Sequence, residues 1–93
     1  MKSFSKNATS RLVQVLGEII KTHRTQQQKT IYRISAECSM HKDAWRLIEK
    51  GLVHDVKISS IWKIAEGLGI DPIALLSEVK DKLGDDFTIS GLN

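Results

Sequence analysis

The chain has 93 residues, which is room for one domain with a modest core and too little for a second domain. Its apolar content of 41% and charged content of 27% are typical of a globular chain rather than a disordered one. No apolar run approaches the roughly 18 residues that a membrane-spanning helix needs. The charge is uneven: residues 1–50 hold ten Lys or Arg against four acids, a net of +6, and residues 51–93 hold four against seven, a net of −3. A basic half beside an acidic half favours a binding surface for a polyanion.

The N-terminal sequence predicts where the protein works. The first ten residues, MKSFSKNATS, lack the apolar stretch of a secretory signal. Cys38 is the single cysteine and has no partner for an internal disulfide. We therefore expect a cytoplasmic protein with no membrane contact.

Helical periodicity begins near residue 9. Thr9 or Ser10 is predicted to cap the first helix by accepting backbone N–H bonds that would otherwise be orphaned. The polar stretch 25–29, TQQQK, interrupts the periodicity and predicts a loop. Thr30 is then predicted to cap a second helix over residues 31–38. The inward residues of the first helix are Leu12, Leu16, Ile19, Ile20 and His23, flanked by Val13 and Val15, and those of the second are Ile31, Ile34 and Cys38.

A third helix is predicted from about residue 41 to residue 50, after a bend at Ser39, where a glycine would be commoner. Gly51 ends this helix. At about 100° per residue the helix has one mostly apolar face and one mostly charged face. The first is centred on His41, Trp45, Ile48 and Leu52, and the second on Asp43, Arg46, Leu47 and Lys50.

A loop over residues 52–57 leads to two further helices. Gly67 and Gly69 mark the end of the fourth helix, and Asp71 and Pro72 open the fifth as its cap and first residue. The fourth helix is predicted to bury Ile58, Ile61, Ile64, Ala65 and Leu68, and the fifth to bury Ile73, Leu76, Val79 and Leu83, with Leu75 at the margin.

These elements predict an all-α domain of five helices. The domain covers residues 9–83, with a flexible N-terminal arm over residues 1–8. The tail over residues 84–93 alternates polar and apolar residues, which hints at a short strand or an ordered arm that takes part in dimerisation.

Two motifs lie at a characteristic separation. Residues 48–51 read IEKG at the end of the third helix, and residues 64–69 read IAEGLG at the end of the fourth. Together with Ile34-Ser35 and Ser39-Met40, they make residues 11–77 or so resemble the lambda-repressor/Cro-like (XRE-type) helix-turn-helix DNA-binding domains. The resemblance implies a five-helix fold whose third helix enters the major groove. The chain departs from the family at Ile31, where a Gln commonly opens the second helix and grips the DNA backbone.

The resemblance also implies which residues meet DNA. Those nearest the base edges are Lys42, Asp43, Arg46 and Lys50. The Arg46 fork suits O6 and N7 of a guanine, and Asp43 either accepts from a cytosine amine or holds Arg46 in its rotamer. The alternative is a solvated flank with an intrahelical Asp–Arg pair. Phosphates are expected at the start of the second helix, on Lys29, Thr30 and Arg33, for which the alternative is ordinary caps and surface charge.

A dimer surface is predicted by elimination. The third helix must stay free for DNA and the first is needed to close the core. Trp45 is predicted to lie in the core rather than to stack on bases, and Trp62 to be half exposed. The remaining apolar surface, and the predicted interface, consists of Trp62, Leu75, Val79, Phe87 and Ile89.

Other chemistry is not favoured by the sequence. Cys38 and His41 make a C-x-x-H fragment without the second ligand pair of a zinc site. Gly67 and Gly69 follow a helix rather than a strand, so they predict a helix end and no dinucleotide loop. No nucleophile set or paired carboxylates stand out. We expect no metal, no cofactor and no enzyme activity.

The leading hypothesis is a bacterial or phage-type transcriptional regulator that binds double-stranded operator DNA as a homodimer. Three alternatives stay open: an antitoxin that also binds a toxin, a restriction–modification controller, and a protein-interaction adaptor without DNA binding. A stoichiometric small partner would favour the antitoxin, and binding that does not respond to salt would favour the adaptor.

Overall fold

A computed structural model describes the backbone of residues 4–91 and the side chains of residues 8–91. Within the described backbone the protein is all-α, as predicted, and it contains no strand. The five helices are α1 (Phe4–Gln26), α2 (Ile31–Glu37), α3 (Lys42–Glu49), α4 (Ile58–Leu68) and α5 (Pro72–Leu83). Across residues 4–91, no helix is both long and apolar enough to cross a bilayer.

The long first helix is the centre of the fold. It packs against α3, α4 and α5, while α2 packs against α3 and α4. Because α1 is covered on several sides, Val13 and Val15 are as deeply buried as Ile20 and do not merely flank a stripe. The hydrophobic core therefore lies between α1 and the helices α3, α4 and α5, and α2 closes it from the side of α3 and α4.

Most predicted caps are confirmed. The Thr30 hydroxyl accepts a hydrogen bond from the Arg33 N–H at 3.1 Å, and Asp71 Oδ1 accepts one from the Ile73 N–H at 2.7 Å. The cap predicted at Thr9 or Ser10 is wrong, because α1 already begins at Phe4. Residues 4–8, assigned by sequence to a flexible arm, are thus helical, and residues 1–3 lie outside the described part of the chain.

The buried faces of α4 and α5 differ from the predicted ones. Ile58 and Ile73 were expected in the core but are 72% and 61% exposed, because each lies in the first turn of its helix. Leu75 was expected at the margin but is fully buried, and Val79, four residues later, is 3% exposed. The face of α5 that meets α1 and α4 is therefore centred on Leu75 and Val79.

Two glycines allow helices to approach closely. A Cβ on Gly17 would overlap the Ile48 carbonyl oxygen and lie 2.7 Å from that of Glu49, so the end of α3 rests directly on the α1 backbone. A Cβ on Gly67 would overlap the Cys38 sulfur, so α4 lies equally close to the end of α2. These contacts need a residue without a side chain.

The tail forms turns rather than the strand that its alternation hinted at. Residues 84–91 contain no strand, and residues 92–93 lie outside the described part of the chain. Phe87 is half-buried, and with Ile89 it lines a groove that Leu12 and Leu83 also line. The tail thus turns back towards α1 and α5.

Candidate nucleic-acid interface

A tight turn sets the angle between α2 and α3. Ser39 has a φ of 57°, in the left-handed region, and the Met40 N–H donates to the Ser35 carbonyl at 2.8 Å. His41 caps α3, since its Nδ1 accepts a hydrogen bond from the Asp43 N–H at 3.2 Å. His41 was expected on the apolar face, but its side chain is 72% exposed. The cap position, one residue before the helix, accounts for this difference.

One side of α3 is anchored in the core. Trp45 is 1% exposed and Ile48 is 7% exposed, which confirms that Trp45 is a core residue. Leu52, expected on this face, is 67% exposed because it follows the end of the helix. With Trp45 and Ile48 fixed, the charged flank of α3 has to face solvent.

The charged flank consists of the four residues predicted to read bases. Lys42, Asp43 and Lys50 are exposed and Arg46 is half-exposed. The Arg46 guanidinium donates to the Asp43 carboxylate, three residues earlier on the same helix. This pair holds Arg46 along the outer face of α3. The Arg46–Asp43 pair is compatible with both interpretations of the flank, a surface that reads bases and a solvated surface.

The residues predicted to bind phosphate at the start of α2 have internal partners. Lys29 Nζ lies 2.8 Å from Glu37 Oε1, and Arg33 Nε lies 3.0 Å from Glu37 Oε2. Hydrogen bonds from Lys29 and then Arg33 hold the pKa of Glu37 below its ordinary value. The Thr30 hydroxyl is used as the helix cap. An incoming phosphate must therefore compete with Glu37 for both cations.

Glu49 joins α3 to α1 from the edge of the Trp45 face. Trp45 Nε1 donates to Glu49 Oε2 at 2.6 Å, and Arg24 donates through Nε to Oε2 and through Nη2 to Oε1, the latter at 3.0 Å. Arg24 also donates to the Lys29 carbonyl at 2.8 Å. The Glu49 and Arg24 side chains are 5% and 13% exposed. The hydrogen bond to Glu49 raises the pKa of Arg24, so Arg24 keeps its positive charge.

A cationic cleft lies beside the flank of α3. It has an empty volume of about 630 Å³, continuous with solvent, between α1, the first residue of α2 and the second half of α3. Its lining residues are Lys21, Arg24, Ile31, Arg46, Glu49 and Lys50. Sequence reasoning missed Lys21 and Arg24 as site residues, because the charged residues that they meet at α3 lie 22 or more positions away along the chain.

The apolar surface differs from the predicted dimer interface. Trp62 is 44% exposed and Ile89 is 41% exposed, as an interface would require. Leu75 and Val79 are core residues, so their assignment to a subunit surface is wrong. Ile58, one turn before Trp62 on α4, extends the exposed apolar face instead.

Cys38 and His41 do not point to a metal centre. The Cys38 thiol is packed against Gly67, and burial raises its pKa. His41 is occupied as the cap of α3. Among the described side chains, no group of three or more His, Cys, Asp or Glu is arranged to hold a metal ion.

No protein-family model matches the chain, and no curated protein matches it in sequence at a significant level. The site pairs an exposed helical flank with a cationic cleft, an arrangement suited to binding a polyanion.

Proposed function

We propose that the protein is a lambda-repressor/Cro-like helix-turn-helix transcriptional regulator that binds specific double-stranded DNA as a homodimer. The observation that carries the proposal is the orientation of α3. Trp45 and Ile48 fix one side of this helix in the core, which leaves Lys42, Asp43 and Arg46 on the solvent side. The major groove of B-DNA, about 12 Å wide, admits a helix presented in this way.

Arg46 is the residue proposed to read a base. Its guanidinium has the fork geometry that meets O6 and N7 of a guanine, and Asp43 orients it. Asp43 has a second role available, as an acceptor for a cytosine amine. Lys42 lies in the first turn of α3, the part of a recognition helix that reaches deepest into the groove.

Dimerisation supplies the second half-site. One domain of this size contacts one half-site, and a two-fold dimer doubles the contacts on a palindromic operator. The exposed apolar residues Ile58 and Trp62 on α4, with Phe87 and Ile89 in the tail, are the surface proposed to form the dimer. A pairing there has to set the two α3 helices roughly 34 Å apart, one turn of B-DNA.

Selection of bound sequences from random duplex DNA tests the proposal directly. We expect a palindromic site whose half-sites are one helical turn apart. Arg46→Ala should lose roughly 5- to 150-fold of the preference over random duplex, the equivalent of about 1–3 kcal/mol for one bidentate base contact. Arg46→Lys is the matched control, since it keeps the charge and loses the fork. Full preference in Arg46→Lys and Arg46→Ala alike would contradict the role given to Arg46.

A second candidate function is a protein-interaction adaptor that has kept the fold without binding DNA. The pairing of Lys29 and Arg33 with Glu37, and the apolar Ile31 at the start of α2, favour this candidate. Failure to enrich any duplex, or an affinity that does not change with salt, would select the adaptor. A small protein that co-purifies in a stoichiometric amount would instead select the antitoxin alternative, and tandem enriched sites the restriction–modification controller.

A further inference from the structure

The cations of the cleft differ in whether they are already neutralised. Arg24 is held by both oxygens of Glu49, and Arg46 is paired with Asp43. Lys21 and Lys50 line the same cleft and make no ion pair with any described residue. Two positive charges of the cleft therefore have no internal counterion.

The fold explains why Lys21 lies beside the end of α3. Gly17 brings the α1 backbone against the carbonyl oxygens of Ile48 and Glu49. Lys21 is four residues after Gly17 and so lies on the same face of α1, one turn further along. Lys50 directly follows α3 as its C-terminal cap residue, four residues after Arg46. Lys21 and Lys50 thus reach the cleft from two elements, next to Arg46, the residue proposed to read a base.

The start of α2 offers the opposite situation. Its two cations share Glu37, and its one hydroxyl caps the helix. Removing Lys29 or Arg33 from Glu37 costs the energy of a pair that is already formed, whereas Lys21 and Lys50 gain a partner when an anion arrives. An anion in the cleft therefore meets two cations without breaking an existing ion pair, whereas at the start of α2 it has to displace Glu37.

We infer that Lys21 and Lys50 hold a DNA backbone phosphate in the cleft between α1 and α3, in place of the grip expected from Lys29, Thr30 and Arg33. This inference rests on the proposed function and specifies which residues contact the DNA backbone. It gives Lys21 a role in DNA binding, and it gives Lys50 a phosphate contact in place of the base contact predicted from the sequence. Because the cleft adjoins Arg46, a phosphate held there fixes the register of α3 in the groove.

The experiment measures the affinity of the full chain for a random-sequence duplex as a function of salt. Each lost phosphate contact lowers the slope of log affinity against log salt by about one unit. We expect that loss for Lys21→Ala and for Lys50→Ala, with an unchanged preference among sequences and an unchanged melting temperature. Lys80→Ala is the control for net charge, since it removes one exposed cation from α5, outside the cleft, where Lys80 lies 3.7 Å from Asp85. It should keep the wild-type slope, and Lys29→Ala should change the slope less than Lys21→Ala does.

The outcomes separate this inference from the proposed function. A wild-type slope near zero would overturn both, since no phosphate would be bound at all. A steep wild-type slope that Lys21→Ala leaves unchanged would overturn the inference and leave the proposed function standing. An equal loss of slope in Lys80→Ala would also overturn it, because the effect would then come from net charge rather than from the cleft. If Lys50→Ala changed the preferred DNA sequence, Lys50 would contact a base, and its assignment to a phosphate would be wrong.

Discussion

Removing the Glu49 carboxylate tests how α3 is held against α1. Glu49→Ala leaves the Arg24 guanidinium, 13% exposed, without its bidentate partner and the Trp45 N–H without its acceptor. Breaking a buried ion pair by removing one partner costs about 3–5 kcal/mol. Because the pair lies at the wall of a cleft open to solvent, the lower end applies, about 3 kcal/mol. That is a large share of the roughly 5–15 kcal/mol by which such a domain is stable.

The assay is thermal unfolding followed by circular dichroism in the absence of DNA. For a domain of this size each kcal/mol lowers the melting temperature by about 4–8 °C, so Glu49→Ala should lower it by roughly 12–24 °C. Glu49→Gln should lose less, since its amide oxygen still accepts from Trp45 while the charge is gone. Glu66→Ala is the matched control: Glu66 is an exposed carboxylate on α4 and should change stability by about 0.5 kcal/mol at most.

A melting temperature of Glu49→Ala within about 2 °C of the wild type would refute this reasoning, since it would mean that the pair contributes almost nothing. A variant with full stability and a lost DNA affinity would make Glu49 a contact residue. The Arg24→Met/Glu49→Gln double variant adds an independent check. If the pair acts as one unit, the double variant should be destabilised by less than the sum of the two single changes.

Three further predictions concern packing, pH and the surface. Gly67→Ala should destabilise the fold by about 1–3 kcal/mol in urea titrations, because its Cβ meets the Cys38 sulfur, and Cys38→Ala should relieve most of that cost. Because the pKa of Glu37 is lowered in the folded protein, its contribution to stability is present above its ordinary pKa of 4.5 and is lost as the pH falls below that value. Thermal unfolding should therefore show that Glu37→Gln loses less stability than the wild type between about pH 5 and pH 3. Because Val79 is 3% exposed, the Val79→Glu variant should be unfolded when it is measured by circular dichroism. The Trp62→Glu variant should instead be folded, and sedimentation should show that it is a monomer. A folded Val79→Glu, or a dimeric Trp62→Glu, would contradict the assignment of these two surfaces.

Local signals were enough to predict the helices and most of their ends. The caps Thr30 and Asp71 and the bend at Ser39 are confirmed because a cap uses hydrogen bonds within a few residues. Trp45 was placed correctly in the core because the apolar and charged residues of α3 separate cleanly at helical spacing. The start of α1 was missed because the preference of Thr9 and Ser10 for caps is weak against continued helix formation.

Buried faces depend on neighbours that the periodicity does not name. The apolar residues of α5 occupy more than one face, so spacing alone could not choose between Ile73 and Leu75. Because α5 packs against both α1 and α4, the face that carries Leu75 and Val79 is buried and the one that carries Ile73 is exposed. Because the dimer surface was predicted by elimination, a buried residue that is taken for an exposed one is wrongly assigned to that surface.

The sequence by itself determined an all-α chain of five helices, with the flank of α3 charged and its other side apolar, because those properties depend on residues one or two turns apart. Only the tertiary structure decided which charges remain available. Glu37 neutralises Lys29 from eight residues away, Glu49 neutralises Arg24 from 25 residues away, and Gly17 brings Lys21 to the end of α3. Ion pairs and clefts form between elements that are distant in the chain, and their partners become known only when the helices are packed.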